Sequence, residues 1–184
     1  MASYKQNLLI LFTLFITLAM SPTLLRADVA SDLCGRTTHK PLCLTIVNQD
    51  RRADLKTSPN GIAKILLDRA VDTTIAAMSK IDKLLPEPTN KRLRESLLKC
   101  NTDYFETINT LTTANLKEIN RQTYPTLVNV IRTGIDKPSD CESSFHKLPA
   151  VSSPVTMENY GIKEDSATTL EVISLVVCNK PSSC

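Results

Sequence analysis

The chain has 184 residues, a formal net charge of +3 and only four glycines. So small a charge is unlike the basic field of a nucleic-acid-binding protein, and an all-β domain would need more turn glycines. Aromatic residues make up 4% of the chain and tryptophan is absent, so we expect a core of aliphatic side chains, as in packed helices.

The N-terminus has the pattern of a secretory signal peptide. A basic residue precedes an apolar run over residues 8–19, and small residues follow. The run is too short for a comfortable membrane span, although an uncleaved anchor is the alternative. We predict a leader over residues 1–27, cut after Ala19 or Ala27. The mature chain, 28–184, is then one helical domain with no membrane association.

The next segment predicts a small helical arm. Residues 28–33 are weakly helical, and a polar turn lies between Cys34 and Cys43. Pro41 suits the first turn of a helix that continues through Val47. A bridge between the two cysteines would staple two short helices into a hairpin.

Two long helices follow at helical spacing. The first is predicted over residues 62–85 and the second over 93–111, with Asn90 as the cap of the second. Their predicted inward stripes are Leu67, Val71, Ile75, Met78, Ile81 and Leu85 in the first, and Leu93, Leu97, Cys100, Tyr104, Ile108 and Leu111 in the second.

The rest of the chain predicts two more helices. A polar stretch over residues 120–123 precedes a helix that starts around Pro125 and runs to Ile135, with Cys141 just past it. A loop rich in serine and proline covers 143–154. The last helix is predicted over 163–177, although its β-branched run also resembles a strand.

Together these elements predict an all-α fold, an up-down-up-down four-helix bundle with an N-terminal disulfide-stapled helical hairpin. Six cysteines in a secreted chain indicate disulfides, but six cysteines allow fifteen pairings. Proximity in the sequence favours Cys34 with Cys43 and Cys100 with Cys141, and leaves Cys178 and Cys184. We expect Cys178, beside the apolar end of the last helix, to be buried, and Cys184 to be exposed.

No catalytic motif is present. The sequence lacks a G-x-S-x-G elbow, an H-E-x-x-H pair, a phosphate-binding glycine loop and any metal-ligand spacing of cysteine or histidine. The two histidines, His39 and His146, stand in polar segments, where we expect surface residues. We therefore predict no enzyme, metal or cofactor, and a function in surface recognition. A small-ligand carrier with a cavity in the bundle is an alternative.

Several short stretches occur in a fixed order along the chain. They are Cys34 with Pro41-Leu42-Cys43, Cys100-Asn101-Thr102-Asp103-Tyr104, Cys141-Glu142-Ser143-Ser144-Phe145, and Ser153-Pro154-Val155-Thr156 with Glu158-Asn159. In these motifs the mature chain resembles the plant invertase and pectin methylesterase inhibitor family. The last stretch resembles a subset of pollen-allergen members that are described as invertase inhibitors.

The resemblance implies a four-helix bundle with disulfides Cys34–Cys43 and Cys100–Cys141. It also implies secretion to the plant cell wall (the apoplast) or delivery to the vacuole. Members of the family dock non-covalently over the active-site cleft of a carbohydrate enzyme, so pectin methylesterase or acid invertase is the expected protein partner. The alternative is a non-inhibitory binding, storage or allergen-like protein of the same fold.

Two departures from the family pattern concern the target. Invertase inhibitors carry a Pro-Lys-Phe motif, and the matching residues are Pro125, Thr126 and Leu127. We predict these three as partner contacts, with a plain helix start as the alternative reading. Many pectin methylesterase inhibitors have Ser-Ala-Ala-Leu where this chain has Arg132-Thr133-Gly134-Ile135. The sequence therefore leaves the target open.

Overall fold

The computed structural model describes residues 23–86 and 90–179, in which the chain forms six α-helices and no strand. The helices are α1 Thr23–Gly35, α2 Lys40–Gln49, α3 Pro59–Leu84, α4 Lys91–Thr112, α5 Tyr124–His146 and α6 Thr156–Cys178, with a 3₁₀ turn, Leu55–Thr57, before α3. The prediction of an all-α fold is confirmed. The predicted leader up to residue 22, and Cys184, lie outside the described residues.

The four long helices form the predicted up-down-up-down bundle. Each of α3, α4 and α5 packs against the helix that follows it, and α6 closes the ring by packing against α3. The hairpin of α1 and α2 packs on the end of the bundle where α3 begins and α6 finishes. The hairpin is held closed by the disulfide Cys34–Cys43.

The helix starts follow the signals in the sequence. Ser58 accepts a hydrogen bond at Oγ from the Gly61 amide (3.1 Å) and precedes Pro59 in the first turn of α3. Asn90 accepts at Oδ1 from the amides of the second and third residues of α4, at 2.8 and 3.2 Å. Side-chain caps of this kind satisfy amides that have no partner inside the helix.

The core has two apolar clusters, one at each end of the bundle. The hairpin-end cluster includes Cys34, Cys43, Val47, Ile62, Leu66, Ile131 and Ile173, and the far-end cluster includes Ile81, Leu97, Cys100, Tyr104, Cys141, Phe145 and Ile162. Most of the predicted stripe of α4 is confirmed, because Leu97, Cys100, Tyr104 and Leu111 are buried in these clusters. Ile108 is only half-buried and lies outside both clusters, and its neighbour Thr107 is buried instead.

Three predicted boundaries were wrong. Helix α5 continues through the buried Pro138 to His146, so Cys141 lies inside the helix and the following loop begins at residue 147. Pro138 has no amide to donate to the Gly134 carbonyl, but helices tolerate such a loss when tertiary packing supports them. Helix α6 begins at residue 156, seven residues earlier than predicted, and the strand alternative is excluded.

Two predictions about individual side chains also failed. Ile75 belongs to the predicted inward stripe of α3 but is 49% exposed. The buried face of α3 instead follows Ala70, Thr74, Ala77 and Ile81, which lie three or four residues apart. Cys178, which we expected to be buried at the end of α6, is half-buried.

Candidate interaction surface

A buried polar network joins α4, α5 and α6 at the far end of the bundle. The Tyr104 hydroxyl donates to Asn159 Oδ1 at 2.7 Å, and Asn159 Nδ2 donates to Glu142 Oε2 at 2.8 Å. Tyr104 and Asn159 are almost wholly buried. Burial raises the pKa of the Tyr104 hydroxyl, which keeps the group protonated as a donor. Since unpaired buried polar groups are costly, this network fixes how the three helices meet.

Glu142 is the acceptor that closes the α5–α6 loop. Its carboxylate also accepts from Thr156 Oγ1 at 2.7 Å and from Ser153 Oγ at 2.9 Å. Burial acts to raise the pKa of this carboxyl, but the hydrogen bonds from Thr156, Asn159 and Ser153 outweigh it and hold the pKa below its usual value. Glu142 is therefore a bound carboxylate rather than a reactive one.

The disulfide Cys100–Cys141 lies directly beside this network. Its Cα atoms are 4.6 Å apart, and Asn159 Nδ2 is 3.3 Å from Cys141 Sγ. In the hairpin the Cα atoms of Cys34 and Cys43 are 5.5 Å apart. These are the two pairs that the family resemblance implies. The residues that carry the resemblance thus build a scaffold.

The α4–α5 loop, residues 113–123, contains several hydrogen bonds among its own residues. Asn120 Oδ1 accepts from the amides of Gln122 (2.9 Å) and Thr123 (3.1 Å), and Thr123 Oγ1 donates to the Glu118 carbonyl at 2.7 Å. Leu116 is buried and fixes the loop to the core. Local bonds of this kind pre-order a loop before it meets a partner.

Neighbouring helices hold the loop at both ends. Asn60, in the first turn of α3, donates through Nδ2 to the Lys117 carbonyl at 3.2 Å. Tyr124, at the start of α5, lies with its hydroxyl 2.8 Å from Ser174 Oγ on α6. The loop therefore has a fixed position beside the hairpin end of the bundle.

The structure places the three predicted contact residues in the first turn of α5. Pro125 and Thr126 are exposed, but Leu127 is only 3% exposed and belongs to the hairpin-end core. Leu127 is therefore not exposed to a partner in this conformation. The partner contact itself stays a prediction, and of the three residues only Pro125 and Thr126 are exposed to make it. With the exposed Lys117, Arg121 and Gln122 they form what we call the loop surface.

A second exposed feature, the α3–α4 stripe, was missed in the sequence. It consists of Ile75 on α3 with Leu98 and Phe105 on α4, all about half exposed. Leu98 and Phe105 are seven residues apart, two turns along one side of α4. Asn101 lies between them and donates through Nδ2 to Asp82 Oδ1 on α3 at 2.8 Å, so the two helices present these residues on a shared side. The sequence did carry a signal for this stripe. Leu98 and Phe105 each directly follow a buried residue, Leu97 and Tyr104, and repeat at the same seven-residue spacing.

A cleft of about 300 Å³ lies between α2 and α3. Its charged groups are largely matched: Arg52 contacts Asp50 at 2.6 Å and Asp68 at 2.7 Å, and the guanidinium holds the pKa of the Asp50 carboxyl below its usual value. Within the described part of the chain, no group of three or more metal-ligating side chains is placed to hold an ion. Over the same residues, no helix combines the length and the hydropathy that a membrane span requires.

Comparisons with known proteins agree with this architecture. The family model described as plant invertase/pectin methylesterase inhibitor matches residues 28–176. A crystal structure of a mutant form of a pectin methylesterase inhibitor from Arabidopsis is 21% identical, with a TM-score of 0.61 over 79% of this chain and 94% of that chain. A second crystal structure, of a pectin methylesterase inhibitor from Arabidopsis thaliana, is 17% identical, with a TM-score of 0.57 over 81% of this chain and 95% of that chain.

A search of the curated proteins gives no match, and at these identities the two solved structures establish the fold alone. The family model, in contrast, spans most of the sequence and covers both disulfides, the buried network and the α4–α5 loop. The chain therefore belongs to the plant invertase/pectin methylesterase inhibitor family.

Proposed function

We propose that this protein is a secreted inhibitor that docks non-covalently over the active-site cleft of a plant cell-wall carbohydrate enzyme, either pectin methylesterase or acid invertase. The observation that carries the proposal is the structural role of the residues that carry the family resemblance. They form two disulfides and a buried hydrogen-bond network. A rigid scaffold of this kind leaves recognition to its exposed surface, and we assign the protein no catalytic activity of its own.

The loop surface supports docking because it is ordered in advance. An inhibitor without chemistry competes by contact area and complementarity, and side chains that are already fixed lose less entropy on binding. The α4–α5 loop is ordered by hydrogen bonds among its own residues, and it leads into the exposed Pro125 and Thr126, so these side chains should lose little entropy on binding. The α3–α4 stripe adds an exposed aromatic side chain, Phe105, of a residue type that is enriched in protein–protein interfaces.

The same surface favours pectin methylesterase as the first target to test. Invertase inhibitors have a lysine and a phenylalanine after the proline. In this chain the exposed position after Pro125 is the uncharged Thr126, and the next residue is buried. Losing one such anchor typically costs about 2 kcal/mol, or roughly thirtyfold in affinity. We therefore expect weak inhibition of acid invertase through this loop.

We also propose that the protein reaches its partner by secretion. The apolar N-terminal run supports a leader over residues 1–27, and the family model begins at residue 28. Two buried disulfides suit an oxidising compartment. The proposed location is the apoplast, with the vacuole as the alternative destination, and the inhibitor domain occupies residues 28–184.

A non-inhibitory protein of the same fold, with a binding, storage or allergen-like role, is the second candidate. It is favoured by the departures from both target motifs at residues 125–127 and 132–135. The two candidates differ in one observable property. An inhibitor lowers the activity of its enzyme in proportion to the complex formed, whereas a non-inhibitory relative leaves the activity unchanged.

The test is a titration of pectin methylesterase and acid invertase with the purified mature protein. We expect a saturating loss of pectin methylesterase activity near an equimolar ratio and much weaker inhibition of acid invertase. Full activity of both enzymes in a hundredfold excess of folded protein would overturn the proposal. Phe105→Ala should weaken inhibition at least tenfold, whereas the matched control Tyr160→Ala, another exposed aromatic on a helix, should not. Equal inhibition by both variants would remove the α3–α4 stripe from the interface.

A further inference from the structure

The far end of the bundle carries a group of exposed cations. Lys91 and Arg94 stand in the first turn of α4, and Lys147 directly follows the last residue of α5. All three are exposed, and none makes a hydrogen bond or an ion pair with a described residue. We call these three side chains the basic end.

Contacts between α4 and α5 bring the three cations to one level of the bundle. Arg92 donates through Nη2 to the Ser144 carbonyl, and Ser96 Oγ donates to the same carbonyl at 3.3 Å. Lys91 precedes Arg92 in the chain. Lys147 lies three residues past Ser144, so α4 begins beside the end of α5. The basic end is therefore one surface that two helices form together.

Acidic residues at the far end have contacts of their own. Glu95 Oε2 lies 3.6 Å from Arg92 Nη1. Asp82, near the end of α3, accepts from Asn101 Nδ2 at 2.8 Å. Glu142 accepts hydrogen bonds from three side chains of the α5–α6 loop and α6. These contacts leave the cations of the basic end without a paired charge among the described residues.

The sequence places these cations against the local electrostatics of a helix. The N-terminal end of an α-helix carries a partial positive charge, so cations in its first turn are unfavourable. Helix α4 nevertheless begins Lys91-Arg92-Leu93-Arg94 and has no acidic residue in its first turn. The Ser144 carbonyl compensates Arg92, but Lys91 and Arg94 gain no contact in the fold. Residues that break a local rule without a structural gain are expected at functional sites.

We propose that the basic end binds a carboxylated polysaccharide of the cell wall, the demethylated form of pectin, and so retains the protein on the polymer. Loss of the methyl esters leaves carboxylates along the polymer, which makes it a linear polyanion. The Arg94 guanidinium can bind a carboxylate through two parallel hydrogen bonds, whereas the two lysines act as point charges. The side chains are the site, because Asn90 already occupies two amides at the start of α4.

Binding the polymer at this end leaves the loop surface accessible. The loop surface lies beside the hairpin end of the bundle, and the basic end lies at the opposite end. One molecule can therefore hold the polymer and present the loop surface to an enzyme that acts on it. The choice of this polymer rests on the proposed function, whereas the cationic surface does not.

The test is binding of the purified mature protein to immobilised polygalacturonate in biolayer interferometry, with fully methyl-esterified pectin as the uncharged comparison. We expect binding to polygalacturonate alone. Raising the salt concentration from about 0.05 M to about 0.5 M should release the protein, because salt screens exposed charges. The triple variant Lys91→Gln, Arg94→Gln, Lys147→Gln should bind about tenfold more weakly, as expected for the loss of three exposed ion pairs.

The matched control removes three exposed cations elsewhere, through Lys40→Gln, Arg51→Gln and Arg132→Gln, so both triple variants have the same net charge. The control should bind as the wild type does. Equal weakening in the two triple variants, or no binding by the wild type at the lower salt concentration, would overturn the proposal. So would tighter binding to anionic lipid vesicles than to polygalacturonate, which would assign the basic end to a membrane surface.

Folding and inhibition are kept apart from polymer binding. The triple variant of the basic end should unfold at the wild-type temperature or above it, because two of its changes remove cations from the start of a helix. The binding assay contains no enzyme. A protein that inhibits its enzyme without binding polygalacturonate would refute the polymer site alone, whereas one that binds polygalacturonate without inhibiting either enzyme would refute the proposed function alone.

Discussion

Replacing Gly134 by alanine should destabilise the bundle, although alanine is the better helix former. Gly134 lies inside α5 where the helix approaches α6. A Cβ atom built there would lie 2.1 Å from Ser166 Oγ and 2.9 Å from Ser166 Cβ. A rotamer change would move Ser166 Oγ, but Ser166 is fully buried and its Cβ is fixed to the helix backbone, so the 2.9 Å contact with that Cβ would persist in every rotamer.

The expected magnitude follows from two opposing effects. Exchange of glycine for alanine in a helix favours folding by about 1 kcal/mol. Forcing an extra methyl group into a packed contact costs about 1–3 kcal/mol. Because the contact distances are far inside van der Waals range, we expect the upper end of that cost and a net loss of about 1–2 kcal/mol. The melting temperature should fall by roughly 2–8 °C for a domain of this size.

The assay is urea unfolding followed by circular dichroism. Gly161→Ala is the matched control, because a Cβ at that helical position meets its nearest neighbour, Thr73 Cγ2, at an ordinary 3.6 Å. It should leave the stability unchanged or raise it. Ser166→Gly should rescue Gly134→Ala with a coupling of at least about 1 kcal/mol, since Ser166 Oγ makes no hydrogen bond with the described residues. Equal stability of the two alanine variants, or no coupling, would refute the packing argument.

Three further predictions concern the disulfides, the buried network and the loop surface. Cys100→Ala should lower the melting temperature in calorimetry more than Cys34→Ala. The Cys100–Cys141 bridge spans a separation of 41 residues and the Cys34–Cys43 bridge a separation of 9, for which the chain-entropy model gives stabilisations of roughly 4 and 2.5 kcal/mol. Equal melting temperatures of the two variants would contradict this prediction. Glu142→Gln should lower the free energy of unfolding by about 1–3 kcal/mol at pH 7. A carboxyl whose pKa is lowered by folding stabilises the protein above its usual pKa of 4.5 and stops doing so once it is protonated. The stability difference between the variant and the wild type should therefore vanish as the pH falls through the lowered pKa of Glu142. A difference in urea midpoint that stays constant down to pH 3 would exclude this assignment. Thr126→Lys should strengthen inhibition of acid invertase several-fold in an activity titration, whereas Leu127→Phe should cost about 1–3 kcal/mol of stability because Leu127 is buried; an unchanged inhibition curve for Thr126→Lys would show that the loop surface does not contact that enzyme.

The helical periodicity of apolar residues predicted the bundle, because residues three or four positions apart lie on the same side of a helix and that side faces the core. Leu97, Cys100, Tyr104 and Leu111 are spaced to share one side of α4, and all four are buried. The capping residue Asn90 likewise placed the start of α4 within two residues. The start of α3, predicted at residue 62 from periodicity, lies at Pro59, after a cap at Ser58 that the prediction did not use. The prediction for α5 ended too early, at Ile135, whereas the helix continues through the buried Pro138 to His146. A proline is unfavourable inside a helix, and local sequence does not reveal the packing that supports it there.

The parts of the site that depend on long-range contacts could not be predicted. Tyr104 and Asn159 were both noticed as motif residues, but the hydrogen bond between them spans 55 positions. Leu127 is different, because it stands four residues before the buried Ile131 and the helical period already indicated that both face the core. The seven-residue spacing of Leu98 and Phe105 was a signal of their exposure, but their position on the same side as Ile75 depends on how α3 and α4 pack.

The most direct test of the proposed docking is the dependence of pectin methylesterase inhibition on substrate concentration. Initial rates would be measured over a range of pectin concentrations at several fixed concentrations of the mature protein. A protein that covers the active-site cleft without reacting should raise the apparent KM, leave kcat unchanged and release full activity on dilution. A fall in kcat at constant KM, or rates that do not respond to the protein at any substrate concentration, would contradict docking over the cleft.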